Sequence, residues 1–276
     1  MKSGIINTAL FFLLIFTFQL NAQEKLKGNR IVVTEDRFIY NFNKVEVNDN
    51  IDVVINQGTE PSVTVETDEN LQFAVITEVI DSTLVIKLSE KISRKKELLA
   101  HITVNQFFKE LITKDKSDVK TLSNLQLRSF TLNAEGDSKV SLTLGTTAFY
   151  LNNLESANVN LNISSEEVYL RGNKSGKAKI KADTKYLEII GQGNSSFELE
   201  GKTNEIELKA ENRSDVKAAA LECNEAIVMA TDNSTVHINV RNNLDLSVLN
   251  DGEVNIYNNP KIKLEKFADK AVLKKK

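Results

Sequence analysis

VYLRGNKSGKAKIKADTKY (residues 168–186) runs straight into LEIIGQGNSSFELEGKTNE (187–205), and that into IELKAENRSDVKAAA (206–220). Each unit opens with two apolar residues two apart. A polar turn ending in Ser follows, and then two more apolar residues two apart. Working outward, the first apolar residue recurs at Leu111, Phe130, Phe149, Val168, Leu187, Ile206, Ile227, Leu244 and Ile262, at intervals of 19 five times and then 21, 17 and 18. The turn marker keeps the same period at Ser117, Ser138, Ser156, Ser175, Ser195, Ser214, Ser234 and Gly252. A period of this length with short alternating patterns and no helical stripe is the signature of one coil of a β-solenoid. Equivalent positions would then stack ~4.8 Å apart along one axis.

The expected fold is therefore all-β: a parallel β-helix or β-solenoid, right-handed by the crossover rule. Both two and three strand faces per coil fit the pattern. One coil cannot bury its own apolar face, so the units must come as an array whose ends are covered. Four segments follow: a signal peptide at 1–22, a β-strand segment at 23–107 packed on or continuing the solenoid, the repeats at 108–262, and a Lys-rich cap at 263–276. In the second segment, Val45/Val47 and Ile51/Val53/Ile55 alternate with polar residues, which reads as two short strands. Residues 75–79 and 83–88 flank Asp81-Ser82 as a hairpin.

Composition narrows the function classes. The 276 residues carry 35 basic and 38 acidic side chains, a net charge of -3, which excludes a nucleic-acid binder driven by phosphate contacts. Asn is abundant at 30 residues and Gly scarce at 11, so Asn is expected to fill many left-handed turn positions. The one cysteine, Cys223, allows no intramolecular disulfide. Lys2 followed by ALFFLLIFTF (9–18) and a small residue at Ala22 reads as a secretory signal cut between Ala22 and Gln23. The apolar run is shorter than the about 20 residues of a membrane span. The expected product is exported, to the periplasm or the cell surface and extracellular space, without a membrane span.

The segments FNKVEVNDNIDVVINQG (42–58), VTVETDENL (63–71) and VITEVIDSTLVIKL (75–88), together with the Ser-marked repeat, resemble the DUF2807 family. That family is described as a putative auto-transporter adhesin, head GIN domain. The resemblance covers most of the chain and implies an exported all-β, helix-like fold of adhesion type, with no enzymatic chemistry attached.

Candidate chemistry concentrates at the turns. Asp118, Asp137, Glu155, Asp215, Asp232 and Asp251 lie beside the Ser markers and would stack into a ridge along one corner. Such a ridge reads either as a strip for a cation or sugar, or as turn chemistry repeated in every coil. Calcium needs several oxygens converging on one point, whereas here Lys139, Lys174 and Arg213 interrupt the acids. His101 and His237 form no metal-ligand or triad spacing, so no metal, cofactor or catalytic residue is assigned. Phe130, Phe149, Tyr150, Tyr169, Tyr186 and Phe197 sit mostly at strand positions and read as core filling or outward packing in preference to a sugar platform. The expected function is a non-enzymatic solenoid presenting a binding or adhesion-type surface at the cell envelope, with an envelope glycan or protein as partner. The alternatives are a carbohydrate-active β-helix enzyme and a structural envelope protein that self-associates. Any function should sit on an outward face or where the period breaks, as at 89–97 or 221–224.

Overall fold

A computed structural model describes residues 25–276; the expected signal and its cut at Ala22 and Gln23 lie outside the described residues. Apart from antiparallel strands between residues 62 and 80, the chain from Lys44 onward winds as a parallel β-solenoid of about nine turns. Inward apolar and outward polar residues alternate along the strands of the stacked coils. In Lys177–Asp183, for instance, Ala178, Ile180 and Ala182 are buried while the residues between them face solvent.

Each coil has two faces. Residues 139–146 pair with 158–165 on one, and 148–153 pair with 167–172 on the other, all parallel and 19 apart. Two different corners join the faces. At the first, the apex residue is left-handed in turn after turn: Asp49, Asp115, Gly136, Glu155, Lys174, Gly193, Asn212, Asp232, Asn250 and Asp269 all have positive φ. Asp takes this position more often than the expected Asn. Both have short side chains able to bond the local backbone, which offsets the cost of the left-handed region. Many Asn residues instead face outward on strands, as Asn158, Asn160 and Asn162 do.

Two residues past the apex sits a buried column of small residues: Ser117, Ser138, Ala157, Gly176, Ser195, Ser214, Ser234 and Gly252. Ser156 and Ser175 are not in it. They are exposed and lie one residue earlier, because Lys139 pairs with Asn158 and Asn158 with Lys177. Register likewise places Leu111 beside Leu132 instead of Phe130. It puts Ala226 over Ile206, leaving Ile227 50% exposed. A register shift near Glu198/Glu200 absorbs the extra residue of that coil.

The second corner is held by hydroxyls. Thr146, Ser165, Thr184 and Thr203 are 19 apart, and each Oγ reaches two carbonyls. One is two residues ahead and the other is one coil back; for Thr184 these are Tyr186 O and Glu166 O, both at 3.0 Å. A hydroxyl whose single proton is shared between two carbonyls ties adjacent coils together where the ladder bends.

At the amino-terminal end, Lys44–Val47 and Asp52–Gln57 form the first coil, against Glu110–Thr113 and Asp118–Thr121. On their other side lie Thr83–Leu88 and Leu98–Val104, still parallel. Strand direction then reverses. Val75–Ile80, Ser62–Asp68 and Val32–Arg37 add antiparallel, so this segment both continues the solenoid and caps it. Asp81 and Ser82 turn the hairpin with φ of 48° and 64°, the left-handed pair that a two-residue turn requires. Buried Asp68 pins the cap: its carboxylate accepts from the backbone N–H of Arg30 and, at 2.7 Å, from that of Lys96. At the other end Lys261–Phe267 and Val272–Lys275 add a last rung. Its Ile262, Leu264 and Phe267 stay 45–49% exposed, because no described strand stacks on them.

The core is a set of continuous columns. Phe108, Phe130 and Phe149 stack in one of them, with centroids 5.1 and 6.2 Å apart, all fully buried. Such columns fix the rotation of each coil on the next, and so fix which outward side chains become neighbours.

Candidate functional site

The six acids of the expected ridge fall into three adjacent columns. Glu155 and Asp232 occupy the left-handed apex. Asp137 and Asp251 come one residue before the small-residue column, and Asp118 and Asp215 begin the following strand. Apex carboxylates serve the turn below them. Asp115 Oδ2 accepts from Asp49 N and Glu155 Oε2 from Gly136 N, both at 3.1 Å. Lys174 Nζ lies 3.0 Å from Glu155 and, by hydrogen bond and charge, holds its carboxyl below the usual range; the Gly136 N–H adds to this. Asp232 accepts from Thr231 Oγ and Asn250 Nδ2, and Asp215 pairs with Lys217 at 3.1 Å. Asp251 stands 3.9 Å from Lys270. A shallow groove of about 660 Å³ follows this corner past Asp49, Asp115, Glu155 and Lys174, so Asp49 and Asp115 belong to the strip although the ridge omitted them. Among the described residues no three His, Cys, Asp or Glu side chains converge as metal ligands.

The stretches that break the period are tied down. Ile92–Arg94 pairs with Leu26–Lys27, and Lys95 Nζ donates to Asn50 O at 3.0 Å. In 221–224 both Leu221 and Cys223 point inward. Burial, with Glu225 nearby, pushes the Cys223 thiol up to about 12, so it is no nucleophile at neutral pH.

A third feature, for which the sequence pattern favours packing over a sugar platform, lies on the face formed by 148–153 and its neighbours. Tyr150 and Tyr169 are register partners pointing outward, with ring centroids 4.9 Å apart and planes within 4°. Tyr186, in the neighbouring outward column with Glu167, reaches Tyr169 across the diagonal at 5.9 Å. Beside the rings the next outward column carries Asn133, Asn152 and Arg171 in register. The sequence did hold a signal: Tyr150 and Tyr169 each follow an inward residue, Phe149 and Val168, so alternation alone turns them out.

Comparisons with known proteins agree on the architecture. The profile of the family described as "DUF2807: Putative auto-transporter adhesin, head GIN domain" matches residues 41–260. A putative adhesin from Parabacteroides merdae ATCC 43184 is similar over 91% of this chain and 99% of its own, at 17% identity and a TM-score of 0.69. A second putative adhesin, from Parabacteroides distasonis ATCC 8503, gives 91%, 100%, 18% and 0.69. A putative lipid binding protein from that organism gives 91%, 97%, 15% and 0.60. At these identities the structures establish a shared fold. No curated protein matches the chain.

Proposed function

The chain belongs to the DUF2807 family, and from that premise we propose that it is an exported, non-enzymatic β-solenoid presenting a binding, adhesion-type surface at the cell envelope. The observation that carries this reading is the outward face of the solenoid. Consecutive turns hold Tyr150, Tyr169, Asn152 and Arg171 in fixed columns one rung apart, on rigid strands instead of loops. Sites on regular elements keep their geometry without a ligand, which favours recognition.

The turn acids give the carbohydrate-active enzyme reading less support. A general acid needs a carboxyl held above its ordinary range. Glu155 is shifted the other way by Lys174, and Asp232 accepts from the Thr231 hydroxyl in its own turn and from the Asn250 amide one coil on. The open rung at Lys261–Phe267 favours, as a second reading, association between copies in a structural envelope assembly.

The test is a screen of the purified protein against immobilised glycans, envelope-protein fractions and lipid vesicles. Lipid is included because one 15%-identical relative is described as lipid binding. Saturable binding without turnover is the expected result. Depolymerisation of any glycan, abolished by Asp137→Asn, Glu155→Gln or Asp251→Asn, would replace this reading with the enzymatic one.

A further inference from the structure

The tyrosine face has features that packing does not account for. Alternation turns Tyr150 outward and leaves it 39% exposed, while the inward positions beside it are filled by Phe149 and Leu151, so its ring is not needed for the core. One side of its ring is covered by Tyr169. The other looks toward the rung of Thr131, its register partner, whose side chain is too short to cover an aromatic ring. The neighbouring rings are fixed from their hydroxyl ends. Tyr169 Oη donates to Glu167 Oε2 and Tyr186 Oη to Glu207 Oε2, each at 3.0 Å. The Tyr169 phenol is pushed up chiefly by its bond to Glu167. The Tyr186 phenol is pushed up by burial and then by its bond to Glu207. Both rings therefore remain neutral and oriented.

An open groove of about 550 Å³ runs beside this row, lined by Thr131, Tyr150, Asn152, Tyr169, Arg171 and Glu188. Its polar groups are of both kinds. Arg171 and Asn152 offer donors, while Glu188 and the Asn152 carbonyl offer acceptors. Asn152 is itself oriented, donating to Asn133 Oδ1 at 2.7 Å, and Asn133 donates in turn to Glu110 Oε1 at 3.0 Å. Arg171 and Glu188, 3.9 Å apart, balance each other's charge, so the groove suits an uncharged ligand. It lies in the middle of a sheet face where every backbone edge is already paired, so an added peptide strand has nothing to bond to.

An uncharged ligand with apolar CH faces and hydroxyls that both donate and accept is a sugar. Asn152, Arg171 and Glu188 stand on successive rungs ~4.8 Å apart, so a chain extended along the solenoid axis meets a polar group at each step. The geometry points to a glycan-binding site: an uncharged oligosaccharide with one sugar stacked on the open, Thr131-facing side of Tyr150 and its chain hydrogen-bonded by Asn152, Arg171 and Glu188. This site rests on the binding-surface reading above and names its ligand class.

The test is a glycan array probed with the purified protein and its variants, each checked for an unchanged thermal melt. The protein binds one or more uncharged glycans. Tyr150→Ala weakens binding roughly tenfold, while Tyr150→Phe, which keeps the ring, stays within about twofold. Asn152→Ala and Arg171→Ala, which leave the rings in place, also weaken it, and Lys179→Ala on the other face does not. These two amide and guanidinium variants decide the matter should Tyr150→Ala fail to fold. Glycan binding indifferent to all four groove variants would overturn this site and leave a binding surface elsewhere. Binding to envelope proteins but to no glycan would overturn the ligand class alone. Absence of binding in every arm would sink both readings.

Discussion

Two glycines with positive φ should respond oppositely to substitution, because only one shares its conformation with its column. Gly193 has φ +68° and stands at the left-handed apex between Lys174 (φ 56°) and Asn212 (φ 54°). A Cβ there would come 3.0 Å from the Lys174 backbone, a contact that yields with a few tenths of an ångström of movement. Gly193→Asn should therefore change stability by less than about 1 kcal/mol, since Asn tolerates the left-handed region. Gly201 has φ +114°, outside that region, and a Cβ would lie 2.1 Å from the Ala182 carbonyl oxygen. Ala182 is its register partner one rung back, so the obstacle is backbone and cannot swing aside. Strain of about 1–3 kcal/mol plus about 1–3 kcal/mol for a disrupted backbone hydrogen bond puts Gly201→Ala about 2–6 kcal/mol below the parent. Urea unfolding followed by circular dichroism measures both. Equal losses for the two variants, or a Gly201→Ala protein within about 1 kcal/mol of the parent, would refute the assigned register.

Three further outcomes follow from groups whose surroundings are clear. Burial works to raise the Asp68 carboxyl, but N–H donors including those of Lys96 and Arg30 hold it below its ordinary value of 3.8. Its contribution is present above that value and lost as pH falls through the depressed one, so Asp68→Asn should lower the melting temperature at pH 7 and flatten its decline in acid, as thermal melts against pH would show. Cys223, with its thiol pushed up to about 12, should resist a disulfide exchange reagent at pH 8 in the folded protein and react fully in concentrated urea. Its stabilising share is present below 9.0, the ordinary value, and is lost as pH rises toward about 12, because the unfolded chain ionises first. Lys261 and Lys266 flank the exposed Ile262, Leu264 and Phe267 on the last rung, where edge charges oppose strand addition. Lys261→Thr with Lys266→Thr should raise the average mass in light scattering at high concentration, and an unchanged mass would show that these lysines do not guard the edge.

Much of the solenoid was legible because two periodicities coincide: alternation along each strand and a repeat near nineteen between coils. Val140/Leu142, Val159/Leu161 and Ala178/Ile180 fall in their expected inward places. Markers chosen by residue type slipped where chemistry allows substitutes. Ala157 and Gly176 meet the corner's need for a small buried side chain as well as Ser does, so the visible Ser156 and Ser175 misled by one position. Ala226 fills the core where the larger Ile227 drew the eye. The hydroxyl corner at Thr146, Ser165, Thr184 and Thr203 keeps the same period, but Ser and Thr are common in turns and strands alike and carry no mark of the corner. The tyrosine groove could not be read from one coil, because Asn152, Arg171 and Glu188 come from three successive rungs and meet only once the register is known.

The tyrosine groove exists only where neighbouring turns stack in parallel at that register. Asn160 and Lys179 are partners on adjacent rungs, while Asn160 and Glu198 are two rungs apart. Disulfides need Cα atoms about 4.4–6.8 Å apart, which ~4.8 Å for one rung satisfies and roughly twice that for two rungs does not. Asn160→Cys with Lys179→Cys should cross-link on mild oxidation, seen as an intramolecular bond by mass spectrometry, and Asn160→Cys with Glu198→Cys should stay reduced. A cross-link in the second pair but not the first would contradict the stacked solenoid and the tyrosine groove built on it.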